Sequence, residues 1–135
     1  MQAKQLYINY PSNLMPANPD RYILDSVWKS ADDRLTNHRF QHFTDHTIEH
    51  SYRIMSYASQ LLAVNNIELN DGERFVLLCA IALHDIGMTT DTYLEDEDRN
   101  RSTELKLEAI RAMHHEYTYL YIKNNRSKLG LSERK

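Results

Sequence analysis

The sequence predicts an all-α protein, a compact bundle of about four to five helices. Glycine and proline, the residues that interrupt helices most strongly, occur only three times each in 135 residues, and no proline follows Pro19. Beyond that point apolar residues recur at intervals of three and four, the period of a helix with one buried face. The chain has no internal repeat, which argues against a solenoid, and its length suits a single domain.

Composition excludes several classes of function. The net charge is −3, with 16 basic and 19 acidic residues, so we expect no broad nucleic-acid surface. No apolar run is long enough to span a membrane and the amino terminus has no signal-peptide core, so we expect a cytoplasmic protein without a membrane partner. The single cysteine, Cys79, lies in an apolar run, which indicates a buried structural side chain in a reducing compartment.

The first helix is predicted to follow an extended lead-in. Residues 1–18 carry two of the three prolines, and we expect them to pack on the domain without building it. Asn18 and Pro19 then open a helix that ends near Asn37, with proline in the first turn. Its apolar stripe consists of Ile23, Leu24, Val27, Trp28, Ala31 and Leu35.

A second helix is predicted after a short polar connection. Either Thr44 or Asp45 is expected to cap it, and Asn65 is expected to lie near its end. Its predicted stripe consists of Ile54, Tyr57 or Ala58, Leu61 and Val64. His50 extends this stripe by one turn toward the amino terminus, so we expect it to face inward.

The third helix has the clearest start signal. Asn70, followed three residues later by Glu73, resembles a capping box. The run 75–83 is apolar on all sides, which predicts the central, buried helix of the domain. Gly87 is suited to stopping this helix.

Residues 88–101 are polar and irregular and are predicted to form a loop before a last long helix, which begins near Ser102. The apolar stripe of that helix consists of Leu105, Ile110, Met113, Tyr117, Leu120 and Tyr121. His114 lies one position from the stripe and can point at the interior. The helical domain is thus expected over residues 19–125, with a polar tail over residues 126–135.

His84 and Asp85 directly follow the apolar run of the third helix. Each buried polar group without a hydrogen-bond partner lowers the stability of the fold by a few kcal/mol. A histidine and an aspartate at this position therefore call for a structural or functional explanation. One explanation is a helix C-cap histidine beside a solvated aspartate. The other is a metal site that antiparallel packing completes with His50 and the pair His114 and His115. Mixed imidazole and carboxylate ligands suit a catalytic divalent ion, and phosphoester hydrolysis is the natural chemistry of such a site.

Three segments resemble the HD superfamily of metal-dependent phosphohydrolases, most closely its HD-CE branch. They are 43–54, 82–88 and 111–115, they occur in the order found in the family, and the resemblance extends to Ile122. It implies an HD-domain-like helical fold and a divalent metal ion, with Mn, Fe, Ni, Zn and Mg as candidates. It also implies hydrolysis of a phosphoester by a metal-activated water, with nucleotides as the leading substrate class.

The resemblance also implies roles for individual residues. The first ligand histidine of the family falls on His50, and the paired ligands, expected to be catalytic, fall on His84 and Asp85. His114 and His115 match a pair that ligates a second ion or contacts substrate phosphate. The expected substrate-binding residues are His46, Arg53 and Arg111. The alternative for His46 is an ordinary surface histidine, and the alternative for both arginines is a solvated position on a helix.

One departure from the family pattern matters. The superfamily closes its metal set with an aspartate on a later helix, and this chain has no aspartate after Asp98. Three explanations stay open: a fragment whose further C-terminal helices bring the ligand, which we favour, an incomplete site, or substitution by Glu116 or water. The cyclic-di-GMP phosphodiesterase signature Gly-Tyr-Pro is also absent, which argues against that substrate.

Two functions therefore compete. The first is a phosphohydrolase acting on a small phosphorylated substrate. The alternative is a non-catalytic regulatory HD module of a larger protein, which binds a metal or a nucleotide without turnover. The expected protein partner is a second copy of the chain or a covalently linked C-terminal domain. The sequence leaves the metal, the substrate and the oligomeric state open.

Overall fold

The computed structural model describes residues 8–36, 48–89, 94, 102–127, 129 and 131, and within these ranges the chain is all-helical, without a strand. In these ranges the chain forms four α-helices, which are α1 (Asn18–Thr36), α2 (Ile48–Val64), α3 (Asp71–Leu83) and α4 (Thr103–Asn124). A first 3₁₀ turn spans Ser12–Leu14 and a second spans Ile86–Thr89. The predicted all-α helical bundle is confirmed. None of the described helices has the length and apolar character needed to cross a membrane.

Helix α1 follows the sequence prediction closely at both ends and on its buried face. Leu24, Val27, Trp28, Ala31 and Leu35 are all buried, and the helix packs against α2 and α3. The Trp28 ring stacks on Tyr52 of α2, with the ring centroids 5.1 Å apart. This contact joins α1 and α2, with Trp28 in the main buried core and the half-buried Tyr52 packed against it.

Helix α2 buries only part of its predicted stripe, since Ile54 and Ala58 are half-buried and pack against the main core. Tyr57, Leu61 and Val64 are exposed, whereas Ser51 and Met55 lie in the interior. The prediction was wrong at the three exposed positions because α2 carries apolar residues on several sides, so their spacing alone did not identify which of them pack. A serine on the inner face leaves room for close packing of the neighbouring elements. The expected cap at residues 44–45 lies outside the described residues.

Helix α3 begins with the predicted capping box. The Asn70 side chain accepts the Glu73 N–H at 2.8 Å, and the Asn70 N–H donates to the Glu73 carboxylate at 3.0 Å. Burial on all sides, however, is not observed, because Val76 is 65% exposed and Ala80 is also exposed. One face of α3 packs on α1 and α2, and the other borders an open apolar groove.

Helix α4 begins after Ser102, as predicted, and the Ser102 side chain accepts the Leu105 N–H. Its stripe is only partly confirmed, since Ile110 and Tyr117 are buried while Leu105 and Met113 are about half exposed. The helix packs mainly on the second 3₁₀ turn rather than along another long helix. A short contact partner buries less of a helix face than a long one, which explains the exposed positions.

The segment before α1 contributes more to the core than the sequence predicted. Ile8, Tyr10 and Leu14 are buried in the main core, with Leu14 fully inaccessible. Asn13 also exchanges two hydrogen bonds with Ser59 of α2, at 2.6 and 2.9 Å. The described part of the lead-in thus belongs to the packed structure. The domain boundaries at residues 19 and 125 remain a prediction.

Candidate metal centre

The candidate site lies at the bend where the chain leaves α3. This helix ends at Leu83 with His84 as its C-cap, and a two-residue turn then leads into the second 3₁₀ turn. The Met88 N–H donates to the Asp85 carbonyl at 2.9 Å, which closes the bend. His84 and Asp85 therefore sit on a fixed backbone turn rather than on a free helix end.

Three side chains of this region form a compact donor set. His50, His84 and Asp85 each offer one ligand atom, and these atoms lie within 4.8 Å of one another. The His50 and His84 rings have centroids 5.5 Å apart, which places His50 beside His84. Asp85 is buried, while both histidines are half-buried. A ligand can thus reach the imidazoles from solvent while the carboxylate stays shielded.

Hydrogen bonds orient the His84 ring. Its Nδ1 lies 2.7 Å from the Ile81 carbonyl oxygen, and a carbonyl can only accept, so Nδ1 carries the hydrogen. Nε2 faces the Asp85 Oδ2 at 2.8 Å. The hydrogen bond with Asp85 raises the pKa of His84, and the bond to the Ile81 carbonyl adds to this, although burial opposes the charge. In neutral His84 the lone pair lies on Nε2, the usual arrangement of a ligating histidine.

His114 of α4 approaches the same carboxylate in the same manner. Its Nδ1 lies 2.8 Å from the Arg111 carbonyl oxygen, one turn earlier in the helix. Its Nε2 lies 3.7 Å from the Asp85 Oδ1. The two oxygens of Asp85 therefore face two histidines from two different elements. The role of His114 as a ligand of a second ion or as a substrate contact remains a prediction.

The other expected site residues lie further out. His115 is exposed, its ring centroid is 3.9 Å from that of His114, and it lines a pocket of about 240 Å³ together with His84. The Arg53 and Arg111 side chains are exposed, and their contact with a substrate phosphate remains a prediction. Glu116, one of the alternatives for the missing late ligand, is exposed as well. His46 lies outside the described residues.

Gly87 has a different role from the predicted helix stop. A Cβ added at this residue would collide with the His114 carbonyl oxygen and would lie 2.5 Å from the Thr118 nitrogen. Gly87 therefore permits the second 3₁₀ turn to lie directly against the backbone of α4. The helix itself ends four residues earlier, at Leu83. The end of a helix and a close contact between two backbone segments both favour glycine. The sequence alone could therefore not distinguish these two roles of Gly87.

Thr118 is a site neighbour that the sequence did not single out. Its hydroxyl accepts the Gly87 N–H at 2.9 Å and donates to the His84 carbonyl at 3.2 Å. The available signal was its position four residues after His114, which puts both side chains on one face of α4. A threonine at helical spacing from a candidate ligand is too common a pattern to have identified it.

The helical fold and the clustered histidine and aspartate side chains define an HD-type domain. A family model described as HD-CE matches residues 40–135, well over half of the chain, and the chain therefore belongs to this family of the HD superfamily. No curated protein and no solved structure matches the chain.

Proposed function

We propose that this protein is a divalent-metal-dependent phosphohydrolase that cleaves a phosphoester of a small molecule, with nucleotides as the first substrate class. The observation that supports this most strongly is the donor set of His50, His84 and Asp85, whose ligand atoms lie within 4.8 Å of one another. Membership of the HD-CE family agrees with it. A cytoplasmic location is part of the same proposal.

The residues present fit a divalent cation. Two imidazole nitrogens and one carboxylate oxygen suit Mn, Fe, Ni or Zn better than Mg, which prefers oxygen ligands. The Ile81 carbonyl holds the His84 ring through Nδ1, the kind of support that ligating histidines normally have. Three protein donors leave coordination positions open, as catalytic rather than structural sites do.

Each residue has a definite task in the proposed reaction. His50, His84 and Asp85 would hold the cation, which when bound lowers the pKa of a coordinated water and screens phosphate charge. His114 Nε2 lies 3.7 Å from the second oxygen of Asp85, where it would support the orientation of the carboxylate. His115 lies beside the small pocket next to His84, where it would donate a hydrogen bond to a substrate oxygen.

The test combines metal analysis with turnover. Purified protein is analysed for bound metals and assayed with added Mn²⁺ on bis-p-nitrophenyl phosphate and on a panel of nucleotides. We expect turnover in the wild type and its loss in Asp85→Ala. The matched control is Asp71→Ala, which removes an exposed carboxylate paired with Arg74 at the start of α3 and should leave turnover unchanged. Equal activity of both variants would refute the assignment.

The alternative function, a non-catalytic metal- or nucleotide-binding regulatory module, is favoured by one observation. The chain has no aspartate after Asp98, so the late aspartate that closes the metal set of the superfamily is absent from this sequence. The same experiment separates the two functions. The regulatory module would be favoured if the protein bound metal but turned over none of the substrates. The same result would have to hold for a chain extended by any downstream coding sequence.

A further inference from the structure

A single hydroxyl group spans the turn that carries Asp85. Thr118 Oγ1 accepts the Gly87 N–H at 2.9 Å and donates to the His84 carbonyl at 3.2 Å. These two backbone groups lie on either side of Asp85 in the chain. One side chain of α4 thus fixes the position of both ends of the segment that presents Asp85.

Both backbone groups need such a partner. The His84 carbonyl lies just past the end of α3, where carbonyls lose their intrahelical donors. Gly87 is buried, and its N–H would otherwise lack water as a hydrogen-bond partner. A hydroxyl is the smallest side-chain group that can both accept and donate, so threonine satisfies the two with one atom.

The same face of α4 also supplies His114, four residues before Thr118. The His114 Nε2 lies 3.7 Å from the Asp85 Oδ1, while Thr118 holds the backbone around that aspartate. The absence of a Cβ at Gly87 lets the turn lie against this face without a gap. Thr118 and His114 therefore meet the same turn from one face of α4, the first through the backbone of the turn and the second through the Asp85 carboxylate.

We propose that Thr118 is a positioning residue of the metal site, which holds His84 and Asp85 in the arrangement that receives the cation. It acts through the backbone of the turn and is not itself a ligand. This inference rests on the proposed function, because it concerns the same donor set.

The test compares Thr118→Val, which keeps the shape and removes the hydroxyl, with Thr118→Ser, which keeps the hydroxyl. The matched control is Ser59→Ala, which removes a half-buried hydroxyl bonded to Asn13 at 2.6 Å, well along α2 from His50. Three quantities are measured on each protein: the affinity for Mn²⁺ and Zn²⁺ by calorimetry, the melting temperature without metal, and the hydrogen-exchange rate of the Gly87 amide.

We expect Thr118→Val to bind the ions about 10- to 100-fold more weakly, the usual loss when support of a ligand is removed. Its Gly87 amide should exchange faster, because its acceptor is gone. In Thr118→Ser, the ion affinity and the exchange rate of the Gly87 amide should both stay close to those of the wild type. Ser59→Ala should lower only the melting temperature. If the wild type binds metal and Thr118→Val binds it equally well, the positioning role is refuted and the proposed function stands. If the wild type binds neither ion, the proposed function fails, and this inference fails with it.

Discussion

Replacing Gly87 with alanine should strongly destabilise the protein. The added Cβ would collide with the His114 carbonyl oxygen and would lie 2.5 Å from the Thr118 nitrogen and 2.7 Å from its hydroxyl. Two of these three atoms belong to the backbone of α4, so they cannot move unless the helix moves with them. The second 3₁₀ turn must therefore shift away from α4, and the hydrogen bond from Gly87 to Thr118 is stretched or lost.

The size of the effect follows from these contacts. Overpacking a close contact costs about 1–3 kcal/mol, and a lost hydrogen bond adds about 1 kcal/mol. We therefore expect the free energy of unfolding to fall by about 2–4 kcal/mol in Gly87→Ala. For a domain of this size the melting temperature should fall by about 6–16 °C.

Gly72→Ala is the matched control. A Cβ at Gly72, in the first turn of α3, would meet only the Asn70 side-chain oxygen at 3.5 Å, an ordinary contact. Alanine there should be neutral or stabilise the protein by up to about 1 kcal/mol, because it favours the helix. Both variants are compared by urea and thermal unfolding followed by circular dichroism. The close approach of the turn to α4 would be refuted if Gly87→Ala were as stable as the wild type.

Two further predictions concern the core and its response to pH. Leu14→Ala should lower the free energy of unfolding by about 2–5 kcal/mol, whereas Met15→Ala, at a half-exposed position, should change it by less than about 0.5 kcal/mol. Equal effects in urea unfolding would show that the segment before α1 is not part of the core. Burial raises the pKa of Cys79 to about 12 and also raises those of Tyr10 and Tyr52, so the folded protein keeps protons that the unfolded chain releases at alkaline pH. These three groups should therefore make the free energy of unfolding fall above about pH 8, where the unfolded thiol begins to lose its proton, by at most about 1.4 kcal/mol per pH unit for each group. Urea unfolding between pH 7 and 11 measures this, with a shallower fall expected in Cys79→Ala, and an equal fall in that variant would contradict the burial of the thiol.

Helix ends were the most predictable features of the fold, because local chemistry determines them. Asn70 and Glu73 form the expected capping box, and Ser102 caps α4. The buried face of α2 was not predictable in the same way. Leu61 and Val64 are as apolar as the residues that pack, and only the position of the neighbouring elements leaves them exposed.

The same distinction applies to the candidate site. His50, His84 and Asp85 were singled out by residue type and position and by the resemblance to the HD superfamily, and the structure places their ligand atoms together. The support by Thr118 depends on how the second 3₁₀ turn packs on α4, which no local pattern contains. Distances of this kind follow from tertiary packing and become visible only in three dimensions.

Calorimetric titration of the metal-free protein with Mn²⁺ and Zn²⁺ tests most directly whether His50, His84 and Asp85 form a metal site. We expect saturable binding of at least one ion per chain in the wild type and in Asp71→Ala. His84→Ala and Asp85→Ala should each lose most of this affinity, since each removes one of three protein donors. Binding that is unchanged in both of these variants would contradict the site assignment.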